Sequence, residues 1–251
     1  MSKKTIIPIM IIIGAVFIVS ILINFYLFKI KKDTFEIGML NYDRREFELV
    51  ATDFPYTIKL VQFDAEDELL QAYLSNDIDA IVIDGFSYVK QYGDFQGGRA
   101  VLSKKTPFII KKSDLSKPPD KIGSAYEWLL VNYNTHARNI FKNTTSALNA
   151  LLENQVDEVL LPEKMLENAS GDSTITHFGD IEMLLIVNSL WLHKDQDESL
   201  DLIRTLEQIT SDQFITPTES GLNAIVTKLF SSEIIETRYY YKDLVYTTDT
   251  R

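Results

Sequence analysis

Residues 74–83 read LSNDIDAIVI, and residues 152–161 read LENQVDEVLL. The two stretches lie 78 residues apart and share one pattern of Leu, Asn, Asp and aliphatic positions. The register continues backward without a gap into an amphipathic segment in each copy, Asp67–Leu74 and Thr145–Leu152. Such self-similarity indicates a duplicated structural unit. Each copy predicts a helix, a short polar turn and then a strand.

The turn in each copy carries two polar residues with distinct expected roles. Asn76 and Asn154 suit the end of a helix, where the left-handed conformation is tolerated. Asp79 and Asp157 are expected to cap or bridge the turn rather than bind a solute. The aliphatic run that follows is typical of a strand covered on both faces, as in a parallel sheet.

Each copy also begins with a strand that contains an Ile-Gly pair. Phe35–Leu40 opens the first copy and Asp120–Ala125 opens the second, so that Gly38 matches Gly123. Each half therefore alternates strand, helix, strand, helix and strand. This alternation predicts parallel βαβ units and an α/β fold.

Two further segments connect the halves. Residues 106–119 predict a strand that leaves the first half, followed by a loop into the second. Residues 183–195 predict a return strand, followed by a helix at Glu198–Ile209, and Thr218–Leu244 is expected to be helical and to pack on the first half. Two crossings between two βαβ units predict a hinged, two-lobed molecule with a cleft.

The predicted domain boundaries follow from these crossings. Lobe 1 comprises residues 34–112 and 190–251, and lobe 2 comprises residues 113–189. Hinges are expected near Ile110–Ser113 and Val187–Leu192.

The amino-terminal segment differs in composition from the rest of the chain. Residues 1–32 hold five lysines and no acidic residue, and Ile6–Phe28 contains 23 residues without a charge. That length suffices to cross a bilayer, and its end lacks a small-residue cleavage site. The sequence therefore predicts an uncleaved transmembrane anchor at about residues 6–28. Flanking lysines at both ends leave the orientation open.

Composition excludes several classes of protein. The chain has 251 residues, 25 Lys+Arg, 36 Asp+Glu and a formal net charge of −11. Beyond residue 32 it holds 20 cations and 36 anions, a net charge of −16, which disfavours nucleic-acid binding. The absence of cysteine excludes disulfides, thiol catalysis and a lipidated-cysteine anchor.

Taken together, the pattern resembles the type II periplasmic solute-binding proteins of ABC transporters. The resemblance rests on Phe35–Leu40, Ala72–Ala80, Pro119–Gly123 and the return segment Trp191–Leu200. It covers roughly residues 35–210 and implies a two-lobed fold that holds a small solute between its lobes. It also implies an extracytoplasmic location and a membrane permease as partner.

The sequence departs from this family at three points. The helix–strand turn has Asn76-Asp77 or Asn154-Gln155 in place of the usual Gly, lobe 2 is short, and a helix replaces the lipid anchor. These departures keep a second hypothesis open, in which the fold serves as a sensor or scaffold for a partner protein.

In such open sheets, ligands bind beyond the carboxyl ends of the strands. The candidate ligand-binding residues are Tyr42, Asp84, Phe86, Ser124, Tyr126, Trp128, Thr144 and Thr145. Carboxylates among aromatic rings, here Asp84 and Glu127, would suit a cation. A helix beginning at Asn143–Thr145 would suit an anion, so both ligand charges stay open. The sequence favours Thr144 or Thr145 as the N-cap of that helix.

Catalytic and metal sites have no support in the sequence. His136, His177 and His193 are isolated, without carboxylates at metal-ligand spacing. No nucleophile elbow, Walker loop or dinucleotide fingerprint is present, and no cofactor is expected. An enzyme built on the same fold is accordingly the least favoured hypothesis.

Overall fold

The computed structural model describes residues 34–40, 57–95, 97–112, 120–127, 129–130, 137–168, 174–192, 196–209 and 214–246. These residues form one eight-stranded sheet with the order β2-β1-β3-β8-β4-β7-β5-β6. The strands are β1 (Thr34–Leu40), β2 (Thr57–Phe63), β3 (Ala80–Asp84), β4 (Arg99–Lys112), β5 (Lys121–Ser124), β6 (Ala137–Ile140), β7 (Glu158–Pro162) and β8 (Thr174–Val187).

Helices connect the strands and cover the sheet. They are α1 (Glu66–Leu74), α2 (Gly85–Lys90), α3 (Thr144–Leu152), α4 (Ser189–Leu192), α5 (Gln196–Ile209), α6 (Glu219–Ser231) and α7 (Tyr241–Leu244), with 3-10 turns at Tyr92–Phe95 and Glu163–Asn168. The predicted α/β class and both repeat helices are confirmed. We call β1–β3 with α1 and α2 the first half, and β5–β7 with α3 the second half.

The strand directions make the two halves face each other. β1 runs parallel to β2 and β3, and β5 runs parallel to β6 and β7. The strands β4 and β8 join the halves and pair antiparallel with each other along most of their length. β3 and β7 are antiparallel to β8 and β4, respectively. β3 therefore points toward the second half and β7 toward the first, so the carboxyl ends of both parallel sets meet in the middle.

The two connecting strands are longer than predicted. Strand β4 already begins at Arg99, and β8 covers Thr174–Val187. The return segment was wrongly extended as a strand beyond residue 187, because Ser189–Leu192 form a helix. The Asn188 side chain accepts a hydrogen bond of 3.2 Å from the Trp191 amide, and this cap ends the strand and starts the helix.

The duplication extends to the backbone of the helix–strand turns. Asn76 and Asn154 have φ angles of 57° and 58°, the left-handed conformation that the sequence predicts. In the first turn the Asp77 amide donates to the Ala72 carbonyl at 2.9 Å. In the second turn Gln155 donates to Ala150 at 2.8 Å, at the same offset of 78 residues. Each turn thus closes its helix with the same hydrogen bond.

The repeated aspartates tie each turn to the opening strand of its half. The Asp79 carboxylate accepts from the Glu36 amide at 2.9 Å, and also from the Trp191 indole N–H at 2.8 Å. The Asp157 carboxylate accepts from the Asp120 and Lys121 amides at 3.1 and 3.0 Å. The predicted bridging role of both aspartates is confirmed.

The glycine of each opening strand allows the turn to pack closely on the sheet. A Cβ atom on Gly38 would lie 2.3 Å from Ile78 Cδ1, and one on Gly123 would lie 2.7 Å from the Phe141 ring. Val156, the repeat equivalent of Ile78, lies 3.4 Å from that second position. Gly is therefore required for packing at both positions.

The core runs along both faces of the sheet and continues from one half to the other. Ile37, Leu102 and Leu160 are fully buried members of one apolar cluster that spans both halves. The carboxyl-terminal segment packs back on the first half, where the buried Tyr88 hydroxyl donates to the Leu244 carbonyl at 2.8 Å. Within the predicted helical segment 218–244, only α6 and the short α7 are α-helical.

The predicted anchor at residues 6–28 lies outside the described residues. Among the residues that the structure describes, no helix has the length and apolar character needed to cross a membrane.

Candidate functional site

The candidate site lies where the carboxyl ends of the two parallel strand sets face each other. The first half contributes the start of α1 at Glu66 and the β3–α2 junction at Asp84. The second half contributes the residues after β5 and the start of α3, including Tyr126 and Thr144. We refer to this region as the interhalf site.

Asp84 lies at the end of β3 and caps the short helix α2. Its carboxylate accepts hydrogen bonds from the Phe86 and Ser87 amides at 2.9 and 3.0 Å. The residue is fully buried, and burial raises the pKa of the Asp84 carboxyl, while the two amide N–H groups oppose that rise. Asp84 therefore has a structural task in the capping of α2, besides any contact with a solute.

Glu66 is the functional candidate that the sequence analysis missed. It is the first residue of α1, and the pKa of its carboxyl is raised to about 8, chiefly by burial. The neighbouring carboxylates of Asp84, Asp67 and Glu127 contribute to that rise, whereas the Ser87 hydroxyl opposes it. At neutral pH the Glu66 carboxyl is consequently mostly protonated.

The internal repeat contained the signal for Glu66. Subtracting the repeat offset of 78 residues from Thr144, a predicted ligand contact, gives Glu66. Both residues begin the repeat helix of their half. Applying the repeat offset to the predicted contacts would therefore have predicted Glu66 as a ligand contact together with Thr144.

Two of the predicted contacts are built into the interior. Phe86 in α2 is buried, with 8% of its surface exposed. Ser124 is fully buried, its hydroxyl donates to the Leu160 carbonyl at 3.2 Å, and it accepts from the Tyr126 amide at 2.9 Å. Ser124 therefore links β5 to β7 and shapes the loop that follows.

Tyr126 and Thr144 lie side by side in the second half. Tyr126 is 1% exposed and packs edge-to-face on Phe108, with 5.0 Å between the ring centroids. Burial raises the pKa of the Tyr126 hydroxyl, and the neighbouring Thr144 side chain opposes that rise. Thr144 is buried, whereas Thr145 is exposed.

The expected cap of α3 was assigned to the wrong residue. The N-cap is Asn143, whose side chain accepts a 2.8 Å hydrogen bond from the Ser146 amide. Asn143 has an extended backbone, as N-cap residues do, and the helix has already begun at Thr144. The other two predicted contacts, Tyr42 and Trp128, lie outside the described residues.

An ion pair bridges the two halves at the edge of this site. The Lys142 ammonium, just after β6, lies 2.7 Å from the Glu68 carboxylate in α1. Glu68, and more weakly Asp64, raise the pKa of Lys142. Asp64 and Lys142 occupy equivalent positions of the repeat, separated by 78 residues. The two equivalent positions, Asp64 and Lys142, thus carry opposite charges.

The described residues contain no group of three or more His, Asp or Glu side chains arranged to hold a metal ion. The described side chains at the interhalf site carry carboxyl groups, hydroxyls and aromatic rings.

Comparison with known proteins defines the class of fold. No protein-family model matches the chain, and no curated protein sequence matches it significantly. Solved structures do match. The ligand-binding component of an ABC-type import system from Staphylococcus aureus, with zinc bound, superposes with a TM-score of 0.64 at 14% identity. The match covers 86% of this chain and 97% of that one.

Two further matches have different ligands. The alkanesulfonate-binding protein SsuA from Xanthomonas axonopodis pv. citri, bound to MOPS, gives a TM-score of 0.59 at 12% identity, covering 85% of this chain and 98% of that one. PhnD1 from Prochlorococcus marinus, in complex with methylphosphonate, gives 0.58 at 11% identity, covering 81% and 99%. The chain therefore has the type II fold of ABC-type periplasmic solute-binding proteins.

Proposed function

We propose that this protein is a membrane-tethered, extracytoplasmic solute-binding protein that captures a small molecule for an ABC-type transporter. The observation that supports it most directly is the arrangement of the duplicated halves. Their parallel strands present their carboxyl ends to each other, and β4 and β8 join them. Ligands of open α/β sheets bind at such ends.

In this proposal the two halves form the cores of two lobes that close around the solute. Lobe 1 contains residues 34–112 and 190–251, and lobe 2 contains residues 113–189, except that Met183–Val187 of β8 pair with β3 and belong with lobe 1. The hinge lies in β4 and β8, where β8 has an extra residue, Phe178, opposite Phe108 and Ile109 of β4, and where Gly179 of β8 has a φ angle of 149°. Such local irregularities are the places where a strand bends most readily.

The solute class that this site fits best is a small cation, such as a primary amine or a guanidinium. Glu66, Asp84 and Glu127 are close enough for the charges of the other two to raise the pKa of Glu66. A bound cation would reverse that effect, because a nearby positive charge stabilises the carboxylate. Solute binding would then release the Glu66 proton and become tighter as the pH rises toward 8.

The site residues divide into contacts and supports. Glu66, which the sequence did not predict, and Asp84 would neutralise the cation, Trp128 would supply a ring face, and Tyr42 and Thr145 would add polar contacts. The buried Phe86, Ser124, Tyr126 and Thr144 would support the walls of the site.

Membrane tethering and the permease belong to the same proposal. The uncharged stretch at residues 6–28 would hold the binding domain at the outer surface of the cell membrane as a single-pass protein. The domain would then deliver its solute to a permease in the same membrane. Protease accessibility of residues 34–251 in intact cells, and their retention in the membrane fraction, would test both statements.

The test of solute binding is a thermal-shift screen of the full chain in a mild non-ionic detergent. Amines, guanidino compounds, amino acids, oxyanions and sugars would be compared at equal ionic strength. A cation at a hundred times its Kd is expected to add about 2.7 kcal/mol of stability. Glu66→Gln should abolish that gain, and Asp77→Asn, an exposed carboxylate in the turn after α1, should retain it. A panel in which no solute stabilises the protein would contradict the proposal.

A second candidate function is a sensor or scaffold that binds a partner protein. It is favoured by the burial of Phe86, Ser124 and Tyr126, which fill the interhalf site with the protein's own side chains. Co-purification of a defined membrane protein, equally strong with wild type and with Glu66→Gln and without any solute effect, would favour this function over solute capture.

A further inference from the structure

One end of the sheet carries exposed apolar side chains and lies away from the interhalf site. Ala80, where β3 begins, pairs with Ile37 of β1 and with Val187 at the end of β8. Val187 also pairs with Arg99, where β4 begins. β1 itself starts three residues before Ile37, at Thr34. We call this end the outer pole, since it is opposite to the carboxyl ends of β1 and β3.

The chain that precedes Thr34 keeps the outer pole close to the membrane of the proposed function. The predicted span ends at Phe28, six residues before Thr34. An extended chain covers at most about 3.6 Å per residue, so this link reaches at most about 22 Å. Three of its residues, Lys29, Lys31 and Lys32, are cations, which is typical of a segment beside lipid headgroups.

A run of three tyrosines presents one exposed ring. Residues 238–242 read RYYYK. The Tyr239 ring packs on the Tyr92 ring with 4.8 Å between the centroids, and the Tyr241 hydroxyl donates to a backbone carbonyl just before α6 at 2.6 Å. The middle residue, Tyr240, is 64% exposed. The two flanking tyrosines thus fix the backbone, and the ring of Tyr240 is left at the surface.

This tyrosine run belongs to the outer pole. The Arg99 guanidinium, at the start of β4, lies 5.5 Å from the centroid of the Tyr92 ring on which Tyr239 packs. The Tyr92 hydroxyl donates to the Asp243 carbonyl, just after the run. These contacts connect the run to the point where β4 begins.

A second exposed apolar side chain at the outer pole is Leu190. It is 63% exposed and lies in α4, which directly follows β8. The Asn188 amide donates to the Asp79 carbonyl at 3.0 Å, and the Asp79 amide donates to the Glu36 carbonyl at 2.9 Å. These two hydrogen bonds place the start of α4 beside the start of β1.

Phe230, 45% exposed, is a third such side chain, in the last turn of α6. The Ile234 carbonyl, four residues later, accepts a 2.9 Å hydrogen bond from the Lys90 ammonium at the end of α2. Because Lys90 precedes the turn that holds Tyr92, the end of α6 also belongs to the outer pole. Three of the seven exposed large apolar side chains in the described residues thus share this end, which favours a contact surface over scattered exposure.

The charges around Tyr240 indicate the kind of partner. Arg238 and Lys242 flank it and are exposed, but Glu233 and Glu236 are also exposed nearby in the chain. Residues 33–251 carry a net charge of −16, so long-range attraction to an anionic surface does not drive binding here. A tyrosine ring between two cations instead suits the interfacial layer of a bilayer, where rings lie at headgroup level and cations contact phosphates.

We propose that the outer pole docks on the lipid bilayer that holds the chain's own anchor. Tyr240, Leu190 and Phe230 enter the interfacial layer, and Arg238 and Lys242 contact lipid phosphates. The inference rests on the membrane anchor of the proposed function, because the short link keeps the outer pole at the surface. The interhalf site then lies one strand length, about 20 Å, farther from the membrane and faces the solution.

Fluorescence quenching by lipid in the full chain tests this proposal. The chain has no cysteine, so a nitrobenzoxadiazole label can be attached uniquely at Tyr240→Cys, Leu190→Cys or Leu152→Cys. The protein is placed in phosphatidylcholine nanodiscs, with and without a lipid that carries a nitroxide quencher near its headgroup. Leu152 is the matched control, because it is also 64% exposed but lies at the end of α3 in the second half.

The labels at residues 240 and 190 should shift their emission to the blue and lose fluorescence when the quencher lipid is present. The label at residue 152 should show neither change. Equal quenching at residues 240 and 152, or no quenching at residue 240, would overturn the proposal. A blue shift at residue 240 without lipid quenching would assign the outer pole to a protein contact and would also overturn it.

A second label position tests which side chains cause docking. Tyr240→Asp together with Leu190→Asp should abolish the quenching of a label at Phe230→Cys, because a carboxylate opposes entry into the bilayer. Leu152→Asp should preserve that quenching, and circular dichroism would check that each variant is folded. Quenching at residue 230 that persists in the folded double variant would contradict the proposal. If the double variant does not fold, the comparison of residues 240 and 152 decides alone.

Failure of this inference can be distinguished from failure of the proposed function. A chain that does not stay in the nanodiscs would refute the anchor and, with it, docking of the outer pole. A chain that stays in the nanodiscs and is stabilised by solute, but whose label at residue 240 is not quenched, would refute docking alone.

Discussion

Replacing Glu66 with Gln should change how the stability of the protein depends on pH. Glutamine has nearly the shape of the protonated carboxyl but cannot ionise. In the folded protein the pKa of Glu66 is raised from 4.5 to about 8. Glu66→Gln therefore mimics the form that the folded state prefers at neutral pH.

The sign of the effect follows from proton linkage. Below pH 4.5 the carboxyl is protonated in both the folded and the unfolded state, so it does not affect stability. As the pH rises from 4.5 to 8, the unfolded state loses the proton first, and wild-type stability falls. Above pH 8 the full cost of the buried charge is present. The variant avoids this loss, so its advantage over wild type should grow through that window.

The pKa shift sets an upper bound of about 5 kcal/mol on this difference. Structural relaxation and partial solvent access reduce such values, and we expect about 1–3 kcal/mol between pH 5 and pH 8.5. The measurement is urea unfolding at a series of pH values, followed by circular dichroism. Asp77→Asn, an exposed carboxylate in the turn after α1, is the control and should follow wild type. Parallel pH profiles for wild type and Glu66→Gln would refute the reasoning.

Three further predictions concern the contacts that hold the halves together and the repeated turns. Lys142→Glu should place two acids across the interhalf site and widen it, which X-ray scattering would detect as a larger radius of gyration. Adding Glu68→Lys should restore the wild-type dimensions. Unchanged dimensions in Lys142→Glu alone would contradict the bridging role of this ion pair. Gly38→Ala should destabilise the protein by about 1–3 kcal/mol, because its Cβ would lie 2.3 Å from the nearest side-chain carbon. Gly93→Ala, with nothing within 4 Å of that position, should stay within about 0.5 kcal/mol in the same chemical denaturation, and equal effects would argue against close packing. Asp79→Ala should cost about 2–4 kcal/mol by leaving an amide and an indole N–H without their acceptor, whereas a cost under about 0.5 kcal/mol would contradict the bridging role.

The sequence contained enough information for the duplicated parts of the fold. A helix, a left-handed Asn and a buried aliphatic strand recur with the same spacing, and local rules act the same way in both copies. The roles of Asn76 and Asp79 were therefore predictable together with those of Asn154 and Asp157.

The connecting strand β8 was harder to predict because its first part has no apolar periodicity. Thr174–Asp180 are exposed or half-buried, and they form a strand because they pair with β4. That pairing is a contact between residues far apart in the sequence, so the local pattern does not predict it. Ser189–Leu192 read as a continuation of the strand, and only the Asn188 cap separates the two elements.

The sequence predicted where the candidate site lies better than it predicted which residues form the site. The rule that ligands bind at carboxyl ends of strands selected Asp84 and Thr144. It did not select Glu66, which has the appearance of an ordinary acidic residue in the first turn of a helix. The burial that raises its pKa comes from distant segments.

The central claim, that the two halves close on a small solute, is tested most directly by an interhalf distance. The chain has no cysteine, so spin labels can be placed uniquely with Gln71→Cys and Asn149→Cys. These exposed residues are equivalent positions of α1 and α3, one on each half. Double electron–electron resonance on the full chain in nanodiscs would compare the solute-free protein with protein saturated by the best cation of the screen. We predict a shorter and narrower distance distribution with solute. A distribution that is unchanged at saturation would contradict the claim.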